Sequence, residues 1–478
     1  MTTAKTSTET LAGTPTETST ETPAGTPAEI PTATEAAKMT VSPTAPKIVR
    51  AQIMHTPQQQ LAEADLQYWS DGALAFDDKV LAVGSFAEVR RQYPTAAVID
   101  ARDSVLLPGL IDVHVHYPQV HMIGAMGMTL LTWLKTRTLP EEANMVSDTY
   151  ARVAAGNFVN SLLANGTTTA LVFGAHFATA QAILFDEALR QGLRVTSGLV
   201  LSDRNLRSEL ETTPEQAYAQ SQQLIETYHD YARLRYAVSP RFSLSCSDAI
   251  LDVSRSLMAE HPEVWLQTHI NENHDEIAFV AELFPEAKDY LDTYERHDLL
   301  GNKSVFAHNI HVSDDELARL AESGSSVAHC PSSNMFIGSG IFDMNRHFDA
   351  GIPFALGSDV AGGTGFSLFK EALMSYQGQM LLPDGYPLTA AHLLYLVTRA
   401  GADLLAHDNI GDLQVGKQAD FILVRPPSGS SLSHVLAHSP SAEASLSAIF
   451  TLAREDSIAA TYIAGEQRFA AGSGLSPS

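Results

Sequence analysis

Cysteine is scarce in this chain of 478 residues, which contains only Cys246 and Cys330. Two cysteines are too few for a disulfide framework or for a zinc site built from paired thiolates. A transition metal bound here must therefore use histidine and carboxylate ligands. We interpret Cys330 as a buried apolar residue and not as a nucleophile, because free cysteine is usually buried and inert.

Long apolar runs and positive charge are scarce as well. No apolar run reaches the ~18 residues that span a bilayer, and MTTAKTSTETLAG lacks the basic start and apolar stretch of a secretory signal. The 30 Lys and Arg against 55 Asp and Glu give a formal net charge of -25. This charge disfavours nucleic acid or an anionic membrane as a partner. We therefore expect a cytoplasmic protein that acts on a small molecule.

The two ends of the chain differ in pattern from its middle. Residues 1–45 are rich in Thr, Pro and Glu and have almost no large apolar side chains, which predicts a flexible tail. One hypothesis is that Met39 is the natural start. Short strand-like segments follow over 46–107 and return over 410–472. Because chain ends often lie close together, these segments predict one small β-sandwich domain built from both ends.

Between residues 108 and 409, short apolar runs alternate with stretches of helical period, as is typical of βα units. The helix candidates cover 148–164, 178–191, 214–232, 247–260, 274–297 and 313–323. The strand candidates cover 110–116, 167–174, 193–201, 234–241, 263–270, 303–308, 325–330 and 352–359. Eight such units predict an α/β fold with a closed (β/α)8 barrel of the TIM type. The alternative, a doubly wound open sheet, would usually carry a Gly-rich loop after its first strand, and this sequence has none.

Histidines and an aspartate stand at the predicted carboxyl ends of these strands, where barrel active sites are built. His114 and His116 end the first strand, and their spacing of two places both imidazoles on one face. His269, His308 and Asp359 end the fifth, sixth and eighth strands. Imidazoles and a carboxylate suit a divalent cation, which lowers the pKa of a bound water to about 7. We expect zinc, although iron or manganese accepts the same donors.

Glu272 follows His269 by three residues in HINEN, which predicts a carboxyl beside the metal that is not itself a ligand. Such a group can take up a proton and deliver it to a leaving group if burial raises its pKa. The alternative role is a favourable charge at the start of the helix in HDEIAFVAELF. Five further histidines lie near the predicted strand ends in sequence, but none is matched by a strand-end residue with which it could act in the predicted reaction. They are His121, His176, His274, His311 and His329.

Several motifs, in order, resemble the metal-dependent amidohydrolase superfamily in the branch that deaminates heterocycles: PGLIDVHVH, QTHINEN, FAHNIH, AHCPSSN and LGSDV. Others are similar to the guanine deaminase family within it: HVHYPQV, LLTWLKTRTLPEE, SPRFS, HCPSSNMFIGSG and GSDVAGGTGFSLF. The resemblance covers roughly residues 47–470. It implies hydrolysis of guanine to xanthine and ammonia, in purine catabolism or salvage, by a homodimer.

The same resemblance implies roles for particular residues. One zinc would be held by His114, His116, His269 and Asp359. His308 would orient the attacking hydroxide, and Asp359 would also take its proton.

Glu272 would then carry that proton to the leaving amine. Substrate recognition would fall to Gln119, Arg241 and Phe242, because an Arg can donate to the O6 and N7 acceptors of guanine and an amide can contact its N3 edge.

Two alternatives remain open at this stage. The chain could deaminate a related aminated ring such as 8-oxoguanine, a pterin or a triazine. It could also be a scaffold that keeps the barrel without the reaction, although all the expected ligands and the proton shuttle are present.

Overall fold

The computed structural model describes residues 45–472, so the predicted tail lies outside the described residues apart from position 45. The described chain opens with four strands, and a short helix, α1, Phe86–Gln92, lies between the last two. The four strands are β1 Lys47–His55, β2 Gln67–Phe76, β3 Val80–Ser85 and β4 Ala97–Pro108.

The central part of the chain forms the predicted parallel barrel. Its strands are β5 Leu110–His116, β6 Thr167–Phe173, β7 Arg194–Gly198, β8 Val200–Leu201, β9 Leu234–Pro240, β10 Trp265–Ile270, β11 Ser304–His308, β12 Ser326–His329 and β13 Phe354–Leu356. Apart from β8, which pairs with β9, they follow chain order around the sheet from β5 to β13. All eight predicted strand segments are thus occupied by strands, and the α/β barrel prediction is confirmed.

The barrel closes where the segment after β13 returns to β5. The Asp359 amide donates to the His114 carbonyl at 2.8 Å, and the His116 amide donates to the Val360 carbonyl at 3.1 Å. Gly357 permits this approach, since a Cβ at that position would lie 2.7 Å from the His114 Cβ. Closure of the barrel therefore places residues of its first strand beside residues that follow its last strand.

The helices pack around this sheet, and four of the six predicted helices lie within one residue of their predicted bounds. They are α2 Leu130–Trp133, α3 Leu139–Ala143, α4 Asp148–Ala164, α5 Ala178–Gln191, α6 Pro214–Tyr228, α7 Asp248–Glu260, α8 His274–Leu283, α9 Asp292–Glu295, α10 Asp314–Ser323, α11 Pro331–Phe336, α12 Met344–Asp349, α13 Leu368–Leu381, α14 Ala390–Leu396 and α15 Arg399–Leu404. A π-helical turn, Leu134–Thr138, joins α2 to α3.

Two helix predictions were too long. The helix predicted over 214–232 ends at Tyr228, because His229 is extended and Asp230 has a φ of 54°. The segment 274–297 is divided into α8 and α9, because Pro285 disfavours helical geometry at Phe284 and supplies no amide to continue the helix. The predicted capping box at the start of α10 is present, with the Ser313 side chain accepting from the Glu316 amide at 3.2 Å.

The C-terminal part adds α16 Ser431–Ala437 and α17 Ala442–Leu452 together with strands β14 Phe421–Val424, β15 Ile458–Ile463 and β16 Glu466–Ala470. These strands complete one continuous seven-stranded sheet of order β16-β15-β14-β4-β1-β2-β3. Apolar side chains are buried on both of its faces. Both chain ends therefore build this sheet, while the domain bounds of 46–107 with 410–472 and of 108–409 stay predictions.

A buried ion pair joins the sheet to the barrel. Arg194 on β7 donates through Nη1 to Asp420 Oδ2 at 2.6 Å, and both side chains are almost fully buried. Asp420 Oδ1 also accepts from the Ala464 amide at 2.7 Å. No helix within residues 45–472 has the length and apolar character needed to cross a membrane.

Candidate active site

Three imidazoles meet at the carboxyl end of the barrel. The Nε2 atoms of His114 and His116 lie 3.2 Å apart, and that of His269 lies 3.3 Å from the His116 Nε2. Asp359 places Oδ1 at 3.4 Å from the His114 Nε2 and 3.2 Å from the His116 Nε2. The strand-end positions predicted from the sequence are thus brought together in space.

His308 belongs to the same cluster. Its Nε2 lies 3.9 Å from Asp359 Oδ2, and His308, His114 and Asp359 form a second group of atoms that could hold a metal ion, beside the group of His114, His116 and His269. The geometry alone therefore does not separate a ligand role for His308 from the orienting role predicted for it.

The donor set fits a divalent cation because its imidazoles are neutral. Burial lowers the pKa of His114 and lowers that of His116 to about 4, so both rings keep a lone pair for a metal. Burial alone would raise the pKa of Asp359, but the adjacent His114 and His116 rings hold it well below its usual range. The cluster is thus uncharged on nitrogen and anionic on oxygen, as a metal site requires.

Backbone and side-chain acceptors hold two of the rings in a fixed tautomer. The His269 Nδ1 donates to the Arg241 carbonyl at 2.6 Å, which leaves its Nε2 as an acceptor. The His308 Nδ1 lies 2.9 Å from Asn334 Oδ1, which orients the His308 Nε2 toward the cluster in the same way. Both contacts are of the kind that orients metal-binding histidines.

Asp112 also supports the cluster and was not predicted. It lies two residues before His114 and therefore on the same face of β5. Its carboxylate accepts from the Ser358 hydroxyl at 2.5 Å and from the Ser358 amide at 3.0 Å. These two hydrogen bonds hold Ser358, the residue before Asp359, against Asp112. The Asp-x-His-x-His spacing in LIDVHVH was the signal that could have identified it.

The backbone is left-handed at the strand ends that carry the site. His308 has φ 73° and Asp359 has φ 47°. Residues other than glycine adopt these angles at a cost, and such strain clusters at functional sites. The conformation turns each side chain from the end of its strand toward the cluster.

A cavity opens above the cluster and is bounded by apolar and polar side chains. The residues around it are His116, Gln119, Leu130, Trp133, Leu134, Arg241, Phe242, His269, Glu272, His308, Ile337 and Asp359. All three predicted substrate-binding residues therefore face the same cavity as three of the four predicted metal ligands, His116, His269 and Asp359.

Glu272 lies in this cavity with only 4% of its surface exposed. Its Oε1 accepts from the Ser339 hydroxyl at 3.2 Å, and its Oε2 lies 3.5 Å from the His308 Nε2. Burial, with the negative charge of Asp359, raises the pKa of Glu272 to about 8. The carboxyl can therefore carry a proton at neutral pH.

Gln119 and Arg241 are held by a carboxylate that sequence reasoning missed. Glu142 accepts from Gln119 Nε2 at 3.0 Å through Oε1 and from Arg241 Nη1 at 2.5 Å through Oε2. The His176 Nε2 lies 3.1 Å from the same Oε2. His176, assigned no role from the sequence, thus belongs to this network, and nothing in LPEEAN distinguished Glu142 from the neighbouring Glu141.

The other residues of uncertain role lie outside this network. His329 is buried, and its two ring nitrogens have no hydrogen-bond partner among residues 45–472. The ring of His274 stacks on that of His311 at 3.8 Å between centroids. Burial raises the pKa of the Cys330 thiol well above its usual value, which is consistent with a core residue.

Comparisons with known proteins agree with this geometry. A model of the amidohydrolase family matches residues 105–468. The probable guanine deaminase of Deinococcus radiodurans is 52% identical over 433 residues, covering 89% of this chain and 99% of that protein.

Two solved structures are similar over nearly the whole described chain. The guanine deaminase of E. coli superposes with a TM-score of 0.86 at 36% identity, covering 89% of this chain and 100% of that one. The guanine deaminase of C. acetobutylicum, solved with guanine bound in its active site, has a TM-score of 0.82 at 26% identity and the same coverage. The barrel, the histidine and aspartate cluster at its strand ends and these similarities all agree. The chain belongs to the amidohydrolase family.

Proposed function

We propose that this chain hydrolyses guanine to xanthine and ammonia. The observation that carries the proposal is that one cavity presents Arg241 and Gln119 beside Glu272 and the imidazole cluster. The similarity to guanine deaminases over most of both chains supports the same reaction. In this reaction a water oxygen forms a bond to C2, the bond from C2 to the amino nitrogen breaks, and ammonia leaves.

We propose His114, His116, His269 and Asp359 as ligands of one zinc ion. A divalent cation at this position would acidify the attacking water and neutralise developing negative charge. The neutral imidazoles and ionised carboxylate described above fit this role.

The remaining steps fall to side chains of the chain itself. Asp359 receives the first proton of the water through the oxygen that is not engaged by the imidazoles. Glu272, which is 3.5 Å from His308, carries a proton to the 2-amino group so that neutral ammonia departs. His308 hydrogen-bonds to the incoming oxygen and holds it against C2.

Recognition of the ring uses the opposite wall of the cavity. Arg241 donates to O6 and N7, and Gln119 contacts the N3 edge and the 2-amino group, as the donor and acceptor pattern of guanine requires. Phe242, which is 6% exposed and borders the cavity, covers a face of the ring.

Three further properties are proposed from the family resemblance. We propose that the chain is cytoplasmic, forms a homodimer and takes part in purine catabolism or salvage. Light scattering on the purified protein measures its mass, and a monomer of 51.5 kDa would contradict the homodimer.

The test of the reaction is turnover of guanine by the purified, metal-loaded protein, followed by ultraviolet absorbance and ammonia release. Parallel assays use 8-oxoguanine, a pterin and an aminotriazine, and metal content is measured on the same sample. We expect guanine to be the fastest substrate and about one metal per chain. A faster rate on another ring would overturn the substrate, and absence of both turnover and metal would indicate a scaffold.

A further inference from the structure

Glu142 is a fully enclosed carboxylate that lies behind the cavity wall. It is located in α3, is 2% exposed and does not border the cavity itself. Its three partners come from three different places on the barrel rim: Gln119 after β5, His176 after β6 and Arg241 after β9. A single carboxylate therefore links three loops that are distant in sequence.

The contact with Glu142 determines which Arg241 donors face the cavity. Within residues 45–472 the side-chain hydrogen bonds of Arg241 are made through Nη1 alone, to Glu142 and to the His176 Nε2 at 3.3 Å, so Nε and Nη2 are left for a ligand. A guanidinium is a rigid planar fork, so fixing one nitrogen fixes the direction of the others. The guanidinium is also almost completely buried, and Glu142 supplies the counter-charge that makes this burial tolerable.

Gln119 is fixed at both ends of its amide. Nε2 donates to Glu142 at 3.0 Å, and Oε1 accepts from the Ala361 amide at 2.9 Å. With a carboxylate on one side and an amide N–H on the other, only one orientation of the side-chain amide satisfies both partners. One N–H and one lone pair remain free on opposite ends of the amide.

We propose that Glu142 is the positioning residue that gives this site its preference for a 6-oxopurine. This inference rests on the proposed function, since it concerns the same cavity. Glu142 does not touch the substrate; it directs the unpartnered Arg241 donors at the ring oxygen and fixes the Gln119 amide against the opposite edge. Without its charge, Arg241 is free to reorient and the 6-oxygen loses its donors.

The test compares two ligands that are not deaminated because they have no 2-amino group. Hypoxanthine carries the 6-oxygen, and purine lacks it. Their dissociation constants are measured by calorimetry on metal-loaded wild type and on Glu142→Gln, which keeps the shape of the side chain. We expect the wild-type preference for hypoxanthine over purine to fall by about tenfold or more, the effect of a lost hydrogen bond to a charged group.

Glu141→Gln is the matched control. The Glu141 carboxylate accepts from the Tyr150 hydroxyl at 2.5 Å and from Asn144 Nδ2 at 3.2 Å, away from the cavity. We expect this variant to keep the wild-type preference. A double variant with Arg241→Met completes the comparison, because Glu142→Gln should change the preference no further once the guanidinium is absent.

A merely structural role gives a different result. If Glu142→Gln weakens hypoxanthine and purine equally, or if wild type itself shows no preference, the proposal is wrong. Should Glu142→Gln fail to fold, Glu142→Asp gives the same comparison, since it keeps the charge but is one methylene too short for all three donors. Guanine turnover by wild type tests the proposed function separately, so failure of one proposal is distinguishable from failure of the other.

Discussion

Replacement of Glu272 by glutamine tests the proton shuttle. Glutamine has nearly the same shape and can still accept the Ser339 hydrogen bond, which spans 3.2 Å in the wild type. It cannot exchange a proton, however. The variant therefore removes one chemical capacity from the cavity while leaving its volume and the imidazole cluster unchanged.

The size of the effect follows from the environment of the carboxyl. Burial raises the pKa of Glu272 from 4.5 to about 8. This difference corresponds to about 5 kcal/mol in favour of the protonated form, relative to a carboxyl in water. A positioned acid of this kind contributes about 10²- to 10⁴-fold to a rate, so we expect kcat for guanine to fall by about that factor.

The assay is steady-state guanine turnover with metal content measured on each preparation. KM should change little, because the proton transfer is made in the transition state and not in substrate binding. Glu371→Gln is the matched control: burial also raises the pKa of Glu371 to about 8, yet that residue does not border the cavity. A fully metal-loaded Glu272→Gln enzyme with kcat within tenfold of wild type would refute the reasoning.

Three further predictions address metal, pH and stability. Removing the metal with a chelator should abolish guanine turnover until zinc is restored, and His269→Ala should not recover it under the same treatment; turnover that survives complete metal removal would contradict the metal site. Burial raises the folded pKa of Glu371 from 4.5 to about 8, so the native state holds a proton that the unfolded chain releases as the pH rises. Relative to Glu371→Gln, the wild type should therefore lose several kcal/mol of stability between about pH 5 and pH 8.5, as measured by denaturant unfolding; the same pH dependence in both proteins would show that Glu371 is ionised in the fold. Asp420→Asn leaves the buried Arg194 guanidinium without its counter-charge at the join between sheet and barrel, so it should lower the free energy of unfolding by about 3–5 kcal/mol while guanine kinetics stay unchanged; an unaltered unfolding midpoint would show that the pair does not hold the two parts together.

Much of the barrel was predictable because its signals are local. A buried parallel strand is a short apolar run, and a covering helix has a 3.6-residue period, so each element is visible within its own segment. The helices α4 and α5 have the predicted bounds. The cause of the break in the predicted helix over 274–297 is also local, since Pro285 disfavours helical geometry at Phe284, the residue before it.

The chemistry at the strand ends was predictable for a different reason. In a parallel barrel every strand ends at the same rim. Polar residues at the strand ends are therefore expected to be neighbours from the topology alone. That rule brought His114 and Asp359 together across 245 residues of sequence, and the structure places their side-chain atoms 3.4 Å apart. Together with the family resemblance, it supplied the candidate ligands and the shuttle.

The sequence by itself determined the fold class, the strand ends and the residue types that face the cavity, because periodicity and parallel topology are properties of the order of residues. Only the tertiary structure decided which groups support them. Glu142 lies 99 residues from Arg241 on the chain, and no periodicity distinguishes it from Glu141 beside it. Its role arises because α3 folds against the rim with one carboxylate turned inward, where a buried guanidinium requires a counter-charge.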